Sequence, residues 1–124
     1  MKDNRPATIF CDIDGTLVEH PGYPAITNLP NETHELKVLP GTIEKLWEWD
    51  KAGHTIILTT GRKEGLRKST EAQLSKAGII YDKLIMGFGG GKRYLINDRK
   101  SNSSDDYAIA INLERNAGIS DLEI

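Results

Sequence analysis

Two nearly continuous apolar runs organise the first half of the chain, Ala7–Asp12 and His54–Thr60, each closing on polar residues and a nearby glycine. The first predicts a central strand covered on both faces, and the second, rich in β-branched residues, predicts another buried strand. Between them, Pro40-Gly41-Thr42 opens a helical pattern in which Ile43, Leu46 and Trp47 share a face and Gly53 is placed to end the helix. Trp47 is therefore expected in the core. Trp49 falls off that stripe and is expected at an edge or an interface. A second helix is predicted over about 63–77, with Leu66, Thr70, Leu74 and Ala77 inward and Gly78 at its end. "YDKLIMG", "KRYLIND" and "YAIAINL" predict a third, a fourth and a fifth strand, the fourth ending at Asp98.

Strands alternating with helical patterns imply right-handed crossovers, hence an α/β fold: a three-layer sandwich with a mostly parallel sheet of about five strands. In such sheets ligands bind beyond the carboxyl ends of the strands. Asp12 and Asp14, Thr60 and Gly61, and Asp98 all fall at or just past predicted strand ends, on three different strands. Residues 19–40, "EHPGYPAITNLPNETHELKVLP", hold four of the five prolines and predict a long loop or small flap near that edge.

With 124 residues, the chain is expected to form a single domain over 1–124. A formal charge of −2 argues against a large basic surface, so no nucleic acid is expected, while a phosphorylated small molecule needs only a local cationic patch. Cys11 is the only cysteine, which rules out an internal disulfide and a cysteine-based metal cluster and suggests a reducing, cytoplasmic setting. No apolar run suits a signal peptide or a membrane span, so no membrane partner is expected, and the patterns at Asn31 and Asn102 that fit glycosylation read as coincidence.

Three carboxylates gathered at one sheet edge would repel one another unless a cation joined them, and Mg2+ suits oxygen ligands beside a substrate phosphate. Asp12, fixed at the end of its strand, is the natural nucleophile towards phosphorus. Asp14, in the turn beyond, could protonate the leaving alkoxide and then activate water. Gly15 permits the turn, and Thr16 could brace it. Thr60 offers a hydroxyl and Gly61 a backbone N–H to the equatorial phosphate oxygens. Lys92 can supply positive charge, with Arg62, Arg93 and Lys100 as rivals.

Together, "DIDGT" at Asp12–Thr16, "TTGR" at Thr59–Arg62, Lys92 and "IND" at Ile96–Asp98 resemble, in order, the four motifs of the haloacid dehalogenase superfamily. The resemblance runs from Thr8 to Asp98. It implies a Rossmann-like core and a magnesium-dependent phosphatase or phosphotransferase, with Asp12 as nucleophile, Asp14 as acid/base, Thr60, Gly61 and Lys92 at the phosphate, and Asp12, Asp14 and Asp98 at the metal. Haloalkanoate dehalogenases of this superfamily generally lack the second acid, so Asp14 points to phosphoryl transfer. The last motif usually carries two acids; here Asn97 precedes Asp98 and Arg99 follows, which leaves one metal contact to Asn97 or water. Lys92 is favoured over its neighbour Arg93 as the third motif. Residues 17–58 and 63–91, the gaps between motifs, leave no space for a large cap domain. Capless members of the superfamily tend to act on large substrates or to close their sites with a neighbouring subunit, which makes a homo-oligomer one expectation.

The simpler readings of these residues are an acidic turn at Asp12 and Asp14, an ordinary strand-to-helix turn at Thr60, and surface positions for Lys92 and Asp98. A cysteine phosphatase is excluded because "CDIDGTL" has acids where an arginine should cradle phosphate, so Cys11 reads as a small buried residue. "GFGGGKR" is not a Walker loop, since its first glycine would fall at Met86 and Arg93 replaces the Ser/Thr. His20, His34 and His54 lack metal-ligand spacing. The main reading is a phosphatase acting on a phosphomonoester such as a sugar phosphate or a nucleotide. One alternative is a catalytically weak phosphate-binding or regulatory module. The other is a phospho-accepting receiver domain, which would want an acid at the end of the third strand where this chain has "LIMGFG".

Overall fold

Parallel pairing of three short strands builds the scaffold. The computed structural model describes residues 3–20 and 35–124, so most of the flap expected over 19–40 lies outside the described residues. Strand β1, Thr8–Asp12, is followed by helix α1, Thr42–Lys51; strand β2, Thr55–Thr59, by a single 3-10 turn at Glu64–Leu66 and helix α2, Arg67–Ala77; and strand β3, Lys83–Ile85, completes the sheet in the order β1-β2-β3. The register sets Ile9 beside Ile56 and Cys11 beside Leu58, which in turn lies beside Leu84. These five side chains share one face. They pack with Leu46 and Trp49 of α1 and Leu74 of α2 in a single cluster that also takes in Ile13, Leu17 and Val18 from the turn after β1.

Among the described residues the other face is open. Both crossovers step the same way along the sheet, and right-handed connections that step the same way lay their helices on the same side. Phe10 and Ile85 consequently remain 53% and 39% exposed. Among the described residues β1 is thus an edge strand with one covered face, not the central, doubly covered strand its apolar run suggests, and the sheet has three strands and one helical layer.

The fourth and fifth strands expected over Lys92–Asp98 and Tyr107–Leu113 do not form. Only six residues, Met86–Gly91, separate the end of β3 from Lys92. A parallel crossover takes about a dozen or more. Both segments are instead largely exposed, with Ile96 89% and Ile109 68% accessible. Beyond them the chain returns to the core, where the Ile119 N–H donates to the Pro40 carbonyl at 3.0 Å and the Ile119 side chain is buried.

The two tryptophans exchange their expected places. Helix α1 buries Thr42, Leu46 and Trp49, an i, i+4, i+7 stripe, whereas Trp47 is 56% exposed. The stripe is set at its start by Thr42, whose hydroxyl donates to the Leu17 carbonyl at 2.7 Å and so turns that side of the helix to the core. Among the described residues, no helix is long and apolar enough to cross a membrane.

Replacing Trp49 with alanine should lower unfolding stability by about 3–5 kcal/mol, while Trp47→Ala should stay within about 0.5 kcal/mol of the parent, both read from urea denaturation. Equal losses would contradict the packing described. Cys11 is 7% exposed, and burial, aided by the Asp12 charge, pushes its thiol up to about 12. Alkylation at pH 8 should therefore be slow in the native protein and fast in urea. Because the unfolded thiol ionises at a lower pH than the folded one, its contribution to stability is present below about pH 8.5 and is lost as pH rises above it.

Candidate active site

The carboxyl edge of the sheet gathers the turn after β1 and the loop after β2. Past Asp12 the chain folds back at once: the N–H groups of Leu17 and Val18 both donate to the Ile13 carbonyl, at 2.9 and 3.1 Å, and the Gly15 N–H donates to the Val18 carbonyl at 2.7 Å. Gly15 has φ +92°, a left-handed conformation that a side chain would strain, and its carbonyl accepts from the Asn116 N–H at 2.8 Å. The Asn116 side chain also accepts from the His20 N–H at 2.8 Å. Buried Ile13, Leu17 and Val18 pin this turn to the core, so the acids on either side of Ile13 stand on a rigid mount.

Those two acids meet different surroundings. The Asp12 carboxyl reaches solvent at the rim. Even so, the protein around it partly strips its hydration and the nearby Asp14 charge opposes its ionisation; together these raise its pKa, against weaker lowering by Arg93, the Ile13 backbone N–H and His20. Asp14 turns inward to Arg62. The guanidinium donates Nε to Oδ2 at 3.0 Å and Nη2 to Oδ1 at 2.8 Å, a two-pronged pair whose side chains are only 3% and 10% exposed for Arg62 and Asp14.

Arg62 is the residue whose role sequence reasoning missed. It stands among the rivals for phosphate binding, yet its remaining terminal nitrogen, Nη1, donates to Gln73 Oε1 at 2.7 Å and Thr70 Oγ1 at 3.2 Å on α2. With every arm of the guanidinium engaged, it serves Asp14 and not a ligand. The signal was present in the spacing: Thr70 and Gln73 are polar residues on the inward side of α2, and buried polar groups need a partner.

Thr60 is 1% exposed, and its hydroxyl accepts from the Arg62 N–H at 3.0 Å, which leaves the hydroxyl proton to donate. Its N–H donates to the Ile85 carbonyl and its carbonyl accepts from the Phe88 N–H, both at 3.1 Å, so the turn is clamped to the chain after β3. Gly61 passes so close to the Phe88 carbonyl that a Cβ would lie 3.0 Å from it. Lys92 is exposed and, with Phe88, Gly89, Gly91 and Arg93, lines an open hollow of about 300 Å³. Arg93 donates to the carbonyls of Gly89 and Gly91 at 2.9 and 2.7 Å and lies 5.1 Å from the Phe88 ring centre.

Asp98 stands elsewhere. It is exposed and pairs with Lys100 at 3.1 Å; the Lys100 ammonium lies 5.6 Å from the ring centre of Tyr107, whose hydroxyl donates to Asp3 Oδ2 at 2.9 Å. That series of contacts ends at Asp3, in the segment that leads into the start of β1. Among the described residues no three acids, histidines or cysteines gather as metal ligands would. The donor set of one chain therefore does not fit the three-acid magnesium site: Asp12 offers an open carboxylate, Asp14 is held by Arg62, and Asp98 is away.

Comparison with known proteins places this edge in context. Curated proteins yield no significant sequence match. Among solved structures, one chain of a Pnkp1/Rnl/Hen1 complex aligns with a TM-score of 0.57 at 28% identity, covering 72% of this chain and 30% of that one. A chain of the Pnkp1/Rnl/Hen1 RNA repair complex aligns with a TM-score of 0.52 at 26% identity, covering 81% of this chain and 28% of that one. This chain thus spans under a third of the length of either. A Vibrio cholerae structural-genomics target shares the fold with a TM-score of 0.51 at 19% identity, covering 73% of this chain and 78% of that one. Residues 1–113 match the family described as HAD superfamily, subfamily IIIB (Acid phosphatase), so that the acid-tipped β1, the threonine turn after β2 and the parallel sheet that carries them belong to a member of that family.

Proposed function

We infer that the protein is a phosphomonoesterase in which the Asp12 carboxylate attacks phosphorus and an aspartyl-phosphate is then hydrolysed by water. One observation carries this reading: in a chain of an acid phosphatase family, the open carboxylate at the tip of β1 stands at the sheet edge where the Thr60–Gly61 turn caps β2. The Asp12 oxygen forms the new bond to phosphorus while the ester oxygen departs. Thr60, with its hydroxyl proton unspent, and the Gly61 N–H are the donors for the phosphoryl oxygens. Arg93 and Lys92, in the hollow beside them, supply the charge that draws a dianion in.

Asp14 is the proton donor to the leaving oxygen and afterwards the base for water. Its two-pronged contact with Arg62 fixes the carboxylate plane, and one hydrogen bond of that pair has to yield while Asp14 carries the proton. Arg62 is then a positioning residue. Mg2+, which members of the superfamily generally use, would supply charge neutralisation if bound; among the described residues of a single chain Asp12 alone offers it an open carboxylate.

The substrate class we propose is a small phosphorylated metabolite, a sugar phosphate or a nucleotide, in the cytoplasm. A net charge of −2 is poorly suited to a long polyanion. The similarity to chains of an RNA repair complex makes a phosphorylated RNA end the competing class. A second reading, a phosphate-binding module without turnover, draws support from the Asp14–Arg62 pair and from the position of Asp98.

Hydrolysis of an aryl phosphate by the purified protein with magnesium, lost at least ~10³-fold in Asp12→Asn, is the expected result. Phosphate binding with no hydrolysis in the parent would favour the non-catalytic module. Asp14→Asn should cut kcat sharply for an alkyl phosphate and far less for an aryl phosphate, which needs little protonation; equal losses would remove Asp14 from the acid role. Arg62→Lys keeps the charge and loses the fork. It should show the same split between leaving groups, while Arg62→Leu, which leaves Asp14 and Gln73 without their partner, should cost roughly 3 kcal/mol or more in urea unfolding.

A further inference from the structure

The arm between Gly89 and Leu113 poses a physical problem that one chain does not solve. It carries Tyr94, Leu95, Ile96, Ile109 and Ile111 at exposures from 48% to 89%, in segments whose composition suits strands. Between residues 93 and 111 the described backbone shows one internal hydrogen bond outside regular elements, Ser103 N–H to Lys100 carbonyl. Beside it, β1 pairs only with β2 among the described residues, so its outer edge offers an unmatched ladder beside exposed Phe10. Among the described residues, strand-forming residues without a sheet and a sheet edge without a strand thus occur together.

They are not joined in cis because of direction and length. Strand Lys92–Asp98, placed parallel to β1, would deliver Asp98 to the edge that holds Asp12. To enter it from β3 the chain would have to recross the sheet's height and pass two strands sideways within Met86–Gly91. Six residues are half of what a parallel crossover needs. The arm instead leaves the carboxyl edge at Phe88, tied to the Thr60 carbonyl, and reaches the amino edge by Tyr107, tied to Asp3. It therefore runs against its own β1.

We propose that two copies of this chain exchange their arms, each laying Lys92–Asp98 parallel along the β1 edge of the other, so that Asp98 of one copy joins Asp12 of its partner. A two-fold axis perpendicular to the strands reverses strand direction. An arm that is antiparallel to its own β1 is then parallel to the other copy's β1, and the contact is isologous and closed. Gly89, Gly90 and Gly91 form the hinge, and Phe10 is covered by the incoming strand. The exchange itself follows from topology alone, whereas the role given to Asp98 rests on the phosphatase reading.

Light scattering on the eluted protein at tens of micromolar should give a dimer, and hydrogen exchange should show the amides of Tyr94–Asp98 protected at least ~100-fold relative to a free segment. Inserting about a dozen Gly/Ser residues after Gly90 should allow closure in cis and convert the dimer to a monomer with those amides still protected. A monomeric parent, or rapid exchange at Tyr94–Asp98 in the dimer, would overturn the exchange. Neither measurement depends on turnover. Asp12→Asn and Asp98→Asn should each be inactive alone. Unfolded and refolded together, they should recover roughly a quarter of parental activity, because half the dimers are mixed and each mixed dimer holds one intact site. A protected dimer with no recovery, or full activity in Asp98→Asn alone, would remove Asp98 from the partner's site.

Discussion

A parallel strand can follow another only through a crossover long enough to carry the chain back along the sheet, and nearly all such crossovers are right-handed. Almost everything in this protein depends on that constraint. It puts the loops after β1 and β2 at the same edge, which brings Asp12 and Thr60 together although 47 positions separate them in the chain. It also puts α1 and α2 on the same face, since both connections step the same way, and leaves Phe10 and Ile85 on the other. After β3 the constraint cuts the opposite way. Six residues cannot make the return, and the segment holding Lys92 and Asp98 is left outside the three-stranded sheet.

Within the candidate site, the buried Asp14–Arg62 pair links the turn after β1 to α2. An arginine this deeply placed is tolerable only with its charge matched and its donors satisfied. Asp14, Thr70 and Gln73 do both. The consequence is a difference in surroundings between two acids on either side of one buried isoleucine: Asp12 keeps an open carboxylate at the rim, and Asp14 is held from behind by Arg62. The same loop is braced from three directions, by Leu39, whose N–H donates to the Leu17 carbonyl, by Thr42 at the head of α1, and by Asn116 near the end of the chain. Elements far apart in sequence thus converge to hold a turn of a few residues.

Much of this site is legible in the chain. Asp12, Asp14, Thr60 and Gly61 are marked by their residue types at the ends of apolar runs, because strand ends and their turns are local features. The two helices and their glycine stops are legible for the same reason. Periodicity misleads at the two tryptophans: Trp47 fits the apolar stripe of Ile43 and Leu46, but the buried stripe starts at polar Thr42, whose hydroxyl bond to Leu17 turns Trp49 to the core. Arg62 reads from the sequence only as a rival for the phosphate-binding cation, and it takes the fold to bring Asp14, Thr70 and Gln73 around it.

The α/β class, the motifs after the first two strands and the acids that end β1 can be read from the order of residues, since each depends on residues close together in the chain. Which tryptophan is buried, what Arg62 holds, where Asp98 stands and which sheet face is open among the described residues follow only from the folded chain. Those outcomes depend on the handedness of crossovers, on the rotation of a helix and on the reach of a six-residue connection, none of which is a property of a local pattern.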